Sequence, residues 1–373
     1  MTGDLFKGAT HGPGYGARVL HFFVNTFFLF FLFLVPGCGM TPSNPLTPPE
    51  ILVTGQSGTS GDGGASPYAL PYSGTPLPLL NVPIPPGLSL RGGAVTDNTL
   101  IYLAKDSSGN GRFLLSGIPL GSSSIFRQIT GLTGTPLAMA QITGQVLVVL
   151  ATTGSSPQGC LEFFDTTSLV SMTSGGALSP SPSCDSLPSF GSQTLANGFL
   201  LPFSDGVGFM VGQVFQPSGQ PATTKVLIYS QNALSSLLTG GGAMPSPLST
   251  WTLWQSYQSS DPISGATLSG NTVILLPDPL AKAIDIYKVT TLYGSSGGSL
   301  VPFSQTTISS STLPTLLAID PSNNFCLAGS GSTVSIFGLD SILSPPGTLG
   351  PLGTINAGTG EAFGSLVTYT GSS

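Results

Sequence analysis

The sequence predicts an all-β fold, and three observations indicate it. From Leu88 onward, short runs of β-branched, aromatic and aliphatic residues alternate with turns rich in glycine, serine, asparagine and proline. Hardly any stretch has the period of about 3.6 residues that marks a long amphipathic helix. The chain also contains 51 glycines and 33 prolines among its 373 residues, which is enough to supply the turns of many short strands.

The runs form groups that share one internal order: a strand, a tight turn, a second strand and a third strand. The central turns lie at Asn98, Gly144, Gly206, Asn271 and Asn323. Repeats of several strands over about 40 to 50 residues are typical of propeller blades. The pattern therefore predicts a β-propeller of six or seven blades, with a β-sandwich as the alternative. The longer intervals are expected to hold the loops Met172–Ser189 and Ser235–Asp261 or a further blade.

The last group is the most regular. Leu317–Gly329 combines an apolar strand, a Pro/Asn turn and a second strand, and Ser330–Phe337 adds a small-residue turn and a third strand. This segment resembles one blade of the lactonase-like or YVTN-type β-propellers. The resemblance implies propeller architecture. It also implies lactonase-like hydrolysis at the propeller centre as one candidate activity, although a fold alone does not determine function.

Three segments are expected along the chain. Residues 1–37 are predicted to be a signal peptide, residues 38–86 a tether rich in Pro, Gly, Ser and Thr, and residues 87–373 the β-propeller domain. In an alternative interpretation, Ile51-Leu52-Val53 or Leu79–Ile84 adds an edge strand to the domain. The final strand, Ala362–Thr370, is expected to close the ring beside an N-terminal strand near residue 90.

The leader determines where the chain is expected to reside. Lys7 and Arg18 accompany the apolar run Val19–Val35, which has the length of a long signal-peptide core. Val35-Pro36-Gly37-Cys38 resembles the lipobox of a bacterial lipoprotein signal, and the resemblance implies cleavage before Cys38 and a lipid on its sulfur. An uncleaved anchor helix and secretion without lipid are the alternatives. All three place the chain outside the cytoplasm, and a lipid would hold it at the outer membrane or cell surface of a bacterium.

Composition excludes several classes of function. Charged residues make up 6% of the chain and the net charge is −6, so there is no basic surface for nucleic acid. Both histidines, His11 and His21, lie in the leader, which removes Ser-His-Asp and Cys-His catalysis from the mature chain. So few charges produce little self-repulsion in acid, which suits an acidic exterior; a skewed composition of the source lineage explains them equally well.

Three cysteines follow Cys38. In an oxidising compartment, Cys160 and Cys184 are able to form a disulfide across a Gly/Ser/Pro-rich segment. Cys326 lies in an apolar run and is expected to be buried as a small hydrophobic residue. No Cys-x-x-Cys spacing occurs, so no metal site and no cofactor are predicted.

One polar segment contains both tryptophans of the chain. Trp251, Trp254 and Tyr257 are the candidate ligand-binding residues, because aromatic side chains on loops suit the recognition of carbohydrate or protein. The alternative is that these side chains pack between blades.

The carboxylates are the candidates for catalysis or cation binding, provided that they meet at the propeller centre. The residues in question are Glu162, Asp165, Asp278, Asp285, Asp320 and Asp340. Most are expected instead to cap turns or to charge strand edges. The turn Asp106–Gly111 imitates the start of a calcium loop, but Gly117 occupies its twelfth position, where a carboxylate is needed. A hairpin turn is therefore expected there.

The leading prediction is a cell-envelope lipoprotein whose propeller is a binding or scaffold module of unknown ligand. Its expected partners are the membrane, through the lipid, and an envelope protein or carbohydrate. The first alternative is a lactonase-like or other hydrolase with a carboxylate-lined propeller centre, for which no catalytic residue is assigned. The second is a purely structural envelope protein. An apolar channel would favour binding, and convergent carboxylates would favour an enzyme.

Overall fold

The computed structural model describes residues 50–370, with gaps at 59–62, 71–80, 122–123, 155, 183, 191–192, 217–221, 255–256, 258–260, 269, 271–272, 295–296, 310–312 and 345–346. The leader, Cys38 and the first part of the predicted tether lie outside the described residues, so cleavage and lipidation stay predictions. Within the described part, no helix is long and apolar enough to cross a membrane.

The described strands form six sheets, which are the blades of a β-propeller. Blade 1 takes three strands from the beginning of the chain: β1 (Glu50–Gly58), β2 (Gly64–Ala69) and β3 (Val82–Pro83). Blade 2 consists of β4 (Ser89–Thr96), β5 (Thr99–Lys105), β6 (Gly111–Gly117) and β7 (Arg127–Ile129). Blade 3 consists of β8 (Thr135–Thr143), β9 (Val146–Thr153), β10 (Ser156–Asp165) and β11 (Asp185–Ser186).

The remaining blades follow in chain order. Blade 4 consists of β12 (Leu195–Pro202), β13 (Gly208–Phe215), β14 (Thr223–Ser230) and β15 (Ser249–Leu253). Blade 5 consists of β16 (Ala266–Thr267), β17 (Val273–Asp278), β18 (Ala283–Lys288) and β20 (Ser304–Thr307). The short strand β19 (Ser299–Leu300) lies between β18 and β20 in the sequence but pairs with β15. Blade 6 consists of β21 (Leu316–Ile319), β22 (Phe325–Ser330), β23 (Thr333–Gly338) and β24 (Gly353–Asn356). The last strand, β25 (Glu361–Thr370), returns to blade 1.

These six blades confirm the predicted all-β propeller. The five strand groups predicted from the sequence correspond to the first three strands of blades 2 to 6. The intervals Met172–Ser189 and Ser235–Asp261 hold connections and outer strands rather than a further blade. The outermost strands escaped prediction because they are only two to five residues long and carry little pattern.

Each blade packs between two neighbours, and six apolar clusters fill the six interfaces. A middle strand therefore buries both of its faces, and all eight residues of β13 are buried. This is why the strands appear in the sequence as continuous apolar runs rather than as alternating ones. Burial of each large apolar side chain stabilises the fold by about 1.5–3 kcal/mol, so the blade interfaces supply most of the stability.

The innermost strands meet close to the ring axis, where two positions require glycine. A Cβ atom on Gly364 of β25 would lie 2.9 Å from the carbonyl oxygen of Leu90 in β4. A Cβ atom on Gly93 of β4 would lie 2.5 Å from the Ser365 hydroxyl oxygen. Contacts this short would push the strands apart. The two glycines therefore allow blades 1 and 2 to approach each other at the axis.

The two ends of the described chain close the ring in blade 1. β25 pairs antiparallel with β1 over nine residue pairs and is the innermost strand of that blade. Two expectations are corrected. The strands β1, β2 and β3, which lie within the predicted tether, belong to the propeller, and β25 pairs with β1 rather than with a strand near residue 90. The alternative interpretation of Ile51-Leu52-Val53 as a strand is the one that the structure supports, because neighbouring blades bury Leu52 and Val53 completely.

Four short helices connect the third and fourth strands of blades 3 to 6. They are α1 (Thr166–Ser171), α2 (Gln231–Gly240), α3 (Val289–Leu292) and α4 (Leu339–Leu343). The sequence pattern missed them because four to ten residues show too little of the helical period. Two have side-chain caps: Asp165 accepts from Ser168 N–H at 2.7 Å, and Ser230 accepts from Ala233 N–H at 3.4 Å.

After three of these helices, the chain reaches back to the preceding blade and pairs beside its outermost strand. β19 of blade 5 runs parallel to β15 of blade 4. Leu349 of blade 6 pairs with Ile308 next to β20, and Ala177 of blade 3 pairs with Thr130 next to β7. These segments, called straps below, cover strand edges that would otherwise be open to pairing with another chain.

A disulfide joins Cys160 of β10 to Cys184 before β11, with the two Cα atoms 5.0 Å apart and a sequence separation of 24. The loop that it closes contains α1 and the strap of blade 3. Cys326 is free and buried, as predicted. The bridge therefore fastens the connection between the third and fourth strands of blade 3.

Replacing both Cys160 and Cys184 by Ala is expected to lower the free energy of unfolding by about 3 kcal/mol, because the open loop gains entropy when the chain unfolds. Urea unfolding measures this loss. A thiol reductant should lower the melting temperature of the wild type and leave that of the double variant unchanged. Equal responses of both proteins would contradict the assignment.

Candidate functional site

A cavity of about 190 Å³ lies on the ring axis, and segments at the innermost strands of all six blades line it. This cavity is called the channel below. Its wall is mostly apolar or small, with Ala138, Met139, Leu200, Ile263, Leu316 and Leu366 among the lining residues. Concave, largely apolar cavities with a few polar groups are typical of small-molecule sites.

Four residues with polar side chains line the channel: Arg91, Gln141, Ser264 and Ser365. The Ser264 hydroxyl is engaged by blade 6, because it accepts from Leu317 N–H at 3.1 Å and lies 3.2 Å from the Leu317 carbonyl oxygen, to which it donates. Among the described lining residues, Arg91 is the only one with a charged side chain. The channel thus offers a ligand one cationic group and a small number of neutral polar groups.

Positive charge is concentrated at the beginning of β4. Burial lowers the pKa of Arg91, and the negative charge of Asp261 acts in the opposite direction. Burial, followed by the charge of Arg91, also lowers the pKa of Lys105. The two cations therefore act on each other in a partly desolvated environment, and of the two only Arg91 lines the channel.

No aspartate or glutamate is found among the described residues that line the channel. The carboxylates considered for catalysis serve local structure instead. Asp165 caps α1, Asp278 accepts from Ala281 N–H at 3.0 Å, and Asp320 accepts from Phe325 N–H at 2.5 Å. This agrees with the expectation that they cap turns. The described part of the channel lacks the carboxylate-lined centre that the hydrolase alternative requires.

Two carboxylates lie buried together in blade 5, away from the channel. Asp285 is fully buried and accepts from the Gln305 amide at 2.7 Å, and the same amide lies 3.5 Å from Asp278. Nearby, the Tyr257 hydroxyl donates to the Pro277 carbonyl at 2.8 Å. Burial raises the pKa of Tyr257 well above its ordinary value. These groups connect strands within blade 5 and its junction with blade 4.

Glu162 lies next to the disulfide. One of its carboxylate oxygens and the sulfurs of Cys160 and Cys184 are within 4.8 Å of one another. The disulfide uses both sulfurs, and Glu162 accepts from Thr133 N–H at 3.0 Å and from Gly134 N–H at 2.9 Å. Burial raises the pKa of Glu162, whereas these hydrogen bonds lower it. The carboxylate therefore fastens the segment before β8 and has no position for a metal ion while the disulfide is intact.

The calcium-like turn is a hairpin turn between β5 and β6, as predicted. Asp106 accepts from the N–H groups of Ser108 and Asn110, both at 2.9 Å, and from the side chains of Asn110 and Arg112. The Asn110 amide, together with the backbone donors, holds the pKa of Asp106 below its usual range. The protein's own donors thus occupy the carboxylate.

The three aromatic candidates do not form one surface. The Trp254 side chain is 67% exposed, whereas Tyr257 is 2% exposed and lies in the cluster between blades 4 and 5. Trp251, on β15, packs against the same cluster. For Trp251 and Tyr257 the structure therefore supports the packing alternative. Of the three rings, only that of Trp254 is open to solvent.

Trp251 also completes the end of a helix. Its indole N–H donates at 3.1 Å to the carbonyl oxygen of Leu292, the last residue of α3. The Ser249 hydroxyl donates to the same oxygen. The last carbonyls of a helix have no partner inside the helix. Blade 4 therefore supplies the donors that the helix of blade 5 lacks.

The same kind of contact occurs at two other blade junctions. Arg127 of blade 2 donates to the Val170 and Met172 carbonyls at the end of α1, at 3.1 and 2.5 Å. Thr306 of blade 5 donates to the Ile342 carbonyl in α4 at 2.5 Å. In each case a side chain on an outermost strand donates a hydrogen bond to a backbone carbonyl in or next to the helix of the next blade. Trp251 is thus one member of a repeated structural contact.

Sequence reasoning did not identify Arg91 as a site residue. The signal was weak: a lone arginine followed by two glycines at the beginning of a strand. Its importance depends on β4 being innermost in its blade. That position follows from the arrangement of all six blades and cannot be read from a local segment.

Trp251→Phe is expected to lower the free energy of unfolding by about 1 kcal/mol, because the phenyl ring leaves the Leu292 carbonyl with one donor fewer. The matched change Trp254→Phe should alter stability by less than about 0.5 kcal/mol, since that side chain is exposed. Urea unfolding of both variants measures the difference. Equal effects on stability would show that the indole N–H of Trp251 has no special role.

Comparison with known proteins supports the fold and leaves the activity open. No protein-family model matches the sequence, and no curated protein shows significant similarity to it. The structure of the periplasmic gluconolactonase PpgL of Pseudomonas aeruginosa is similar, with a TM-score of 0.51, 14% identity, and coverage of 86% of this chain and 98% of that chain. Hydrazine synthase of Kuenenia stuttgartiensis has a TM-score of 0.41 and 13% identity over 77% of this chain and 94% of that one. At 14% identity the similarity shows a shared propeller fold alone.

Proposed function

We propose that this protein is a lipid-anchored binding module of the bacterial cell envelope, and that its channel binds a small organic anion with an apolar body. The observation that carries the proposal is the composition of the channel wall. It combines apolar or small residues from all six blades with one charged group among the described lining residues, Arg91.

The chemistry of Arg91 indicates the charge of the ligand. A guanidinium that is partly removed from water gains most from an anionic partner that accepts two parallel hydrogen bonds, and carboxylates have this geometry. The nearby Lys105 adds a second positive charge, and Asp261 is a negative charge that acts on Arg91. A ligand carboxylate would add a negative charge beside these two cations.

The cavity limits the size of the ligand. A volume of about 190 Å³ accommodates a small carboxylic acid and is too small for an oligosaccharide or a peptide. The apolar lining favours a ligand with a hydrocarbon part, because binding removes the apolar surfaces of both the ligand and the channel wall from water. Small monocarboxylates such as benzoate or hexanoate combine these properties.

The leader supports a location at the cell envelope. Lys7, Arg18, the apolar run Val19–Val35 and the lipobox-like residues before Cys38 together favour a lipoprotein signal. The disulfide between Cys160 and Cys184 fits an oxidising compartment. The gluconolactonase of similar fold is itself periplasmic.

Thermal-shift and calorimetric titration with benzoate and hexanoate test the channel site. The wild type is expected to bind both and to melt at a higher temperature, since a ligand that binds only the folded chain stabilises it. Arg91→Met should lose at least about tenfold in affinity, because the charge-assisted hydrogen bonds are absent. Lys288→Met is the matched control: Lys288 is exposed on the outer part of blade 5 and should leave affinity unchanged.

Neutral benzamide should bind much more weakly than benzoate. Failure of the wild type to bind either acid, or equal affinity of Arg91→Met and the wild type, would contradict the assignment of the channel. The structural-protein alternative would then be favoured.

Cys38→Ser is expected to move the protein from the membrane fraction to the soluble fraction, or to leave an unprocessed precursor, because the thioether to lipid is lost. Cys326→Ser, which changes a buried thiol, should remain in the membrane fraction. Fractionation and mass spectrometry of the N-terminal peptide make the measurement. A wild-type protein that still carries the residues before Cys38, with no lipid on the Cys38 sulfur, would indicate an uncleaved anchor.

A further inference from the structure

Two buried carboxyl groups meet where the ring closes. Glu50 is the first residue of β1, and Asp320 directly follows β21 of blade 6. Glu50 is 8% exposed and Asp320 is 1% exposed. The Ser322 hydroxyl, two residues after Asp320, donates to the Glu50 carboxylate, and Glu50 is close enough to Asp320 to raise the pKa of that carboxyl group. The contact therefore links the N-terminal strand of blade 1 to the neighbouring blade, and it is called the seam pair below.

The surrounding donors satisfy only one oxygen of each group. The Ser322 hydroxyl donates to Glu50 Oε1, and Phe325 N–H donates to Asp320 Oδ1 at 2.5 Å. Glu50 Oε2 and Asp320 Oδ2 are buried and have no donor among the described residues. Two carboxylate oxygens only accept hydrogen bonds, so they attract each other only when one of them carries a proton.

Among the described residues, no cation acts on the carboxyl group of Asp320. Burial, and after it the contact with Glu50, raises the pKa of Asp320 to about 6, while the backbone N–H groups of Phe325 and Asn324 lower it. Burial and the charge of Asp320 raise the pKa of the Cys326 thiol to about 12, so this neighbour is neutral. The flanking residues 48–49 and 371–373 are proline, glycine and serine and add no ionisable side chain.

We propose that ring closure is sensitive to pH: a proton that Asp320 carries and donates to Glu50 joins blade 6 to blade 1 in mild acid, and its loss near neutral pH loosens the seam. The device is independent of the channel ligand. Both the pH-sensitive ring closure and the low charge content of the chain suit an acidic exterior.

The direction follows from linkage between protonation and folding. A carboxyl group whose pKa is higher in the folded chain than in the unfolded chain binds its proton more tightly when folded. The stabilisation is complete below the ordinary pKa of 3.8 and is lost as the pH rises through about 6. When the pH is lowered from neutral to one unit below the folded-state pKa, the contribution of Asp320 should raise the folding equilibrium constant about tenfold.

Urea unfolding of the full chain in detergent, at neutral pH and in mild acid, tests the proposal. Asp320→Asn replaces the Asp320 proton by an amide N–H that donates to Glu50 at every pH. This variant should be at least as stable as the wild type at neutral pH. Its folding equilibrium constant should not show the rise of about tenfold that this group gives the wild type in mild acid. Glu50→Gln should behave similarly. Asp340→Asn, an exposed site of the same residue type, should keep the full pH dependence.

Hydrogen exchange locates the effect. At neutral pH, backbone amides of β1 and β25 should exchange faster in the wild type than in Asp320→Asn, and the difference should disappear in mild acid. A chelator should change neither result, because no metal ion is involved. The proposal would be overturned by a wild type that is no more stable in acid, by an Asp320→Asn variant with unchanged pH dependence, or by loss of stability on chelation.

Discussion

The pairing of β25 with β1 is the constraint on which the rest of the propeller depends. Each blade is stable because its two faces pack against neighbours, and a ring has six such interfaces only when it is closed. Without β25, blade 1 would lose its innermost strand, and apolar clusters on both sides of it would be exposed to water. β25 also contributes Gly364, Ser365 and Leu366 to the channel wall, so the proposed ligand site is complete only in the closed ring.

A second device stabilises the outer part of the ring, where blades diverge. Straps pair beside the outermost strand of the preceding blade, and side chains from that blade satisfy the helix carbonyls of the next one. Most of the donors and acceptors are backbone groups, hydroxyls and one indole. This explains how a chain with only 6% charged residues holds its blades together without relying on surface ion pairs.

Blades 2 to 6 could be predicted because strands buried on both faces leave long apolar runs between glycine-rich turns. Blade 1 could not be predicted with the same certainty: β1 and β2 contain many small residues, and β1 pairs with a strand from the opposite end of the chain. The disulfide between Cys160 and Cys184 could be predicted from the sequence, because these are the only two cysteines that flank a short loop. The role of Trp251 was not, because its acceptor, Leu292, lies 41 residues away. Arg91 likewise becomes a site residue only through the order of strands within a blade.

The position of β25 has a consequence for the biogenesis of the protein. The strand that completes the ring consists of residues 361–370 and follows all the other described strands in the sequence. Domains fold progressively from the N-terminus as a chain emerges, so blades 2 to 6 can assemble while blade 1 waits for its innermost strand. The ring therefore cannot close until residues 361–370 have been synthesised and are free to pair with β1. Until then the edge of β1 that β25 covers is unpaired, and an open strand edge favours pairing with another chain.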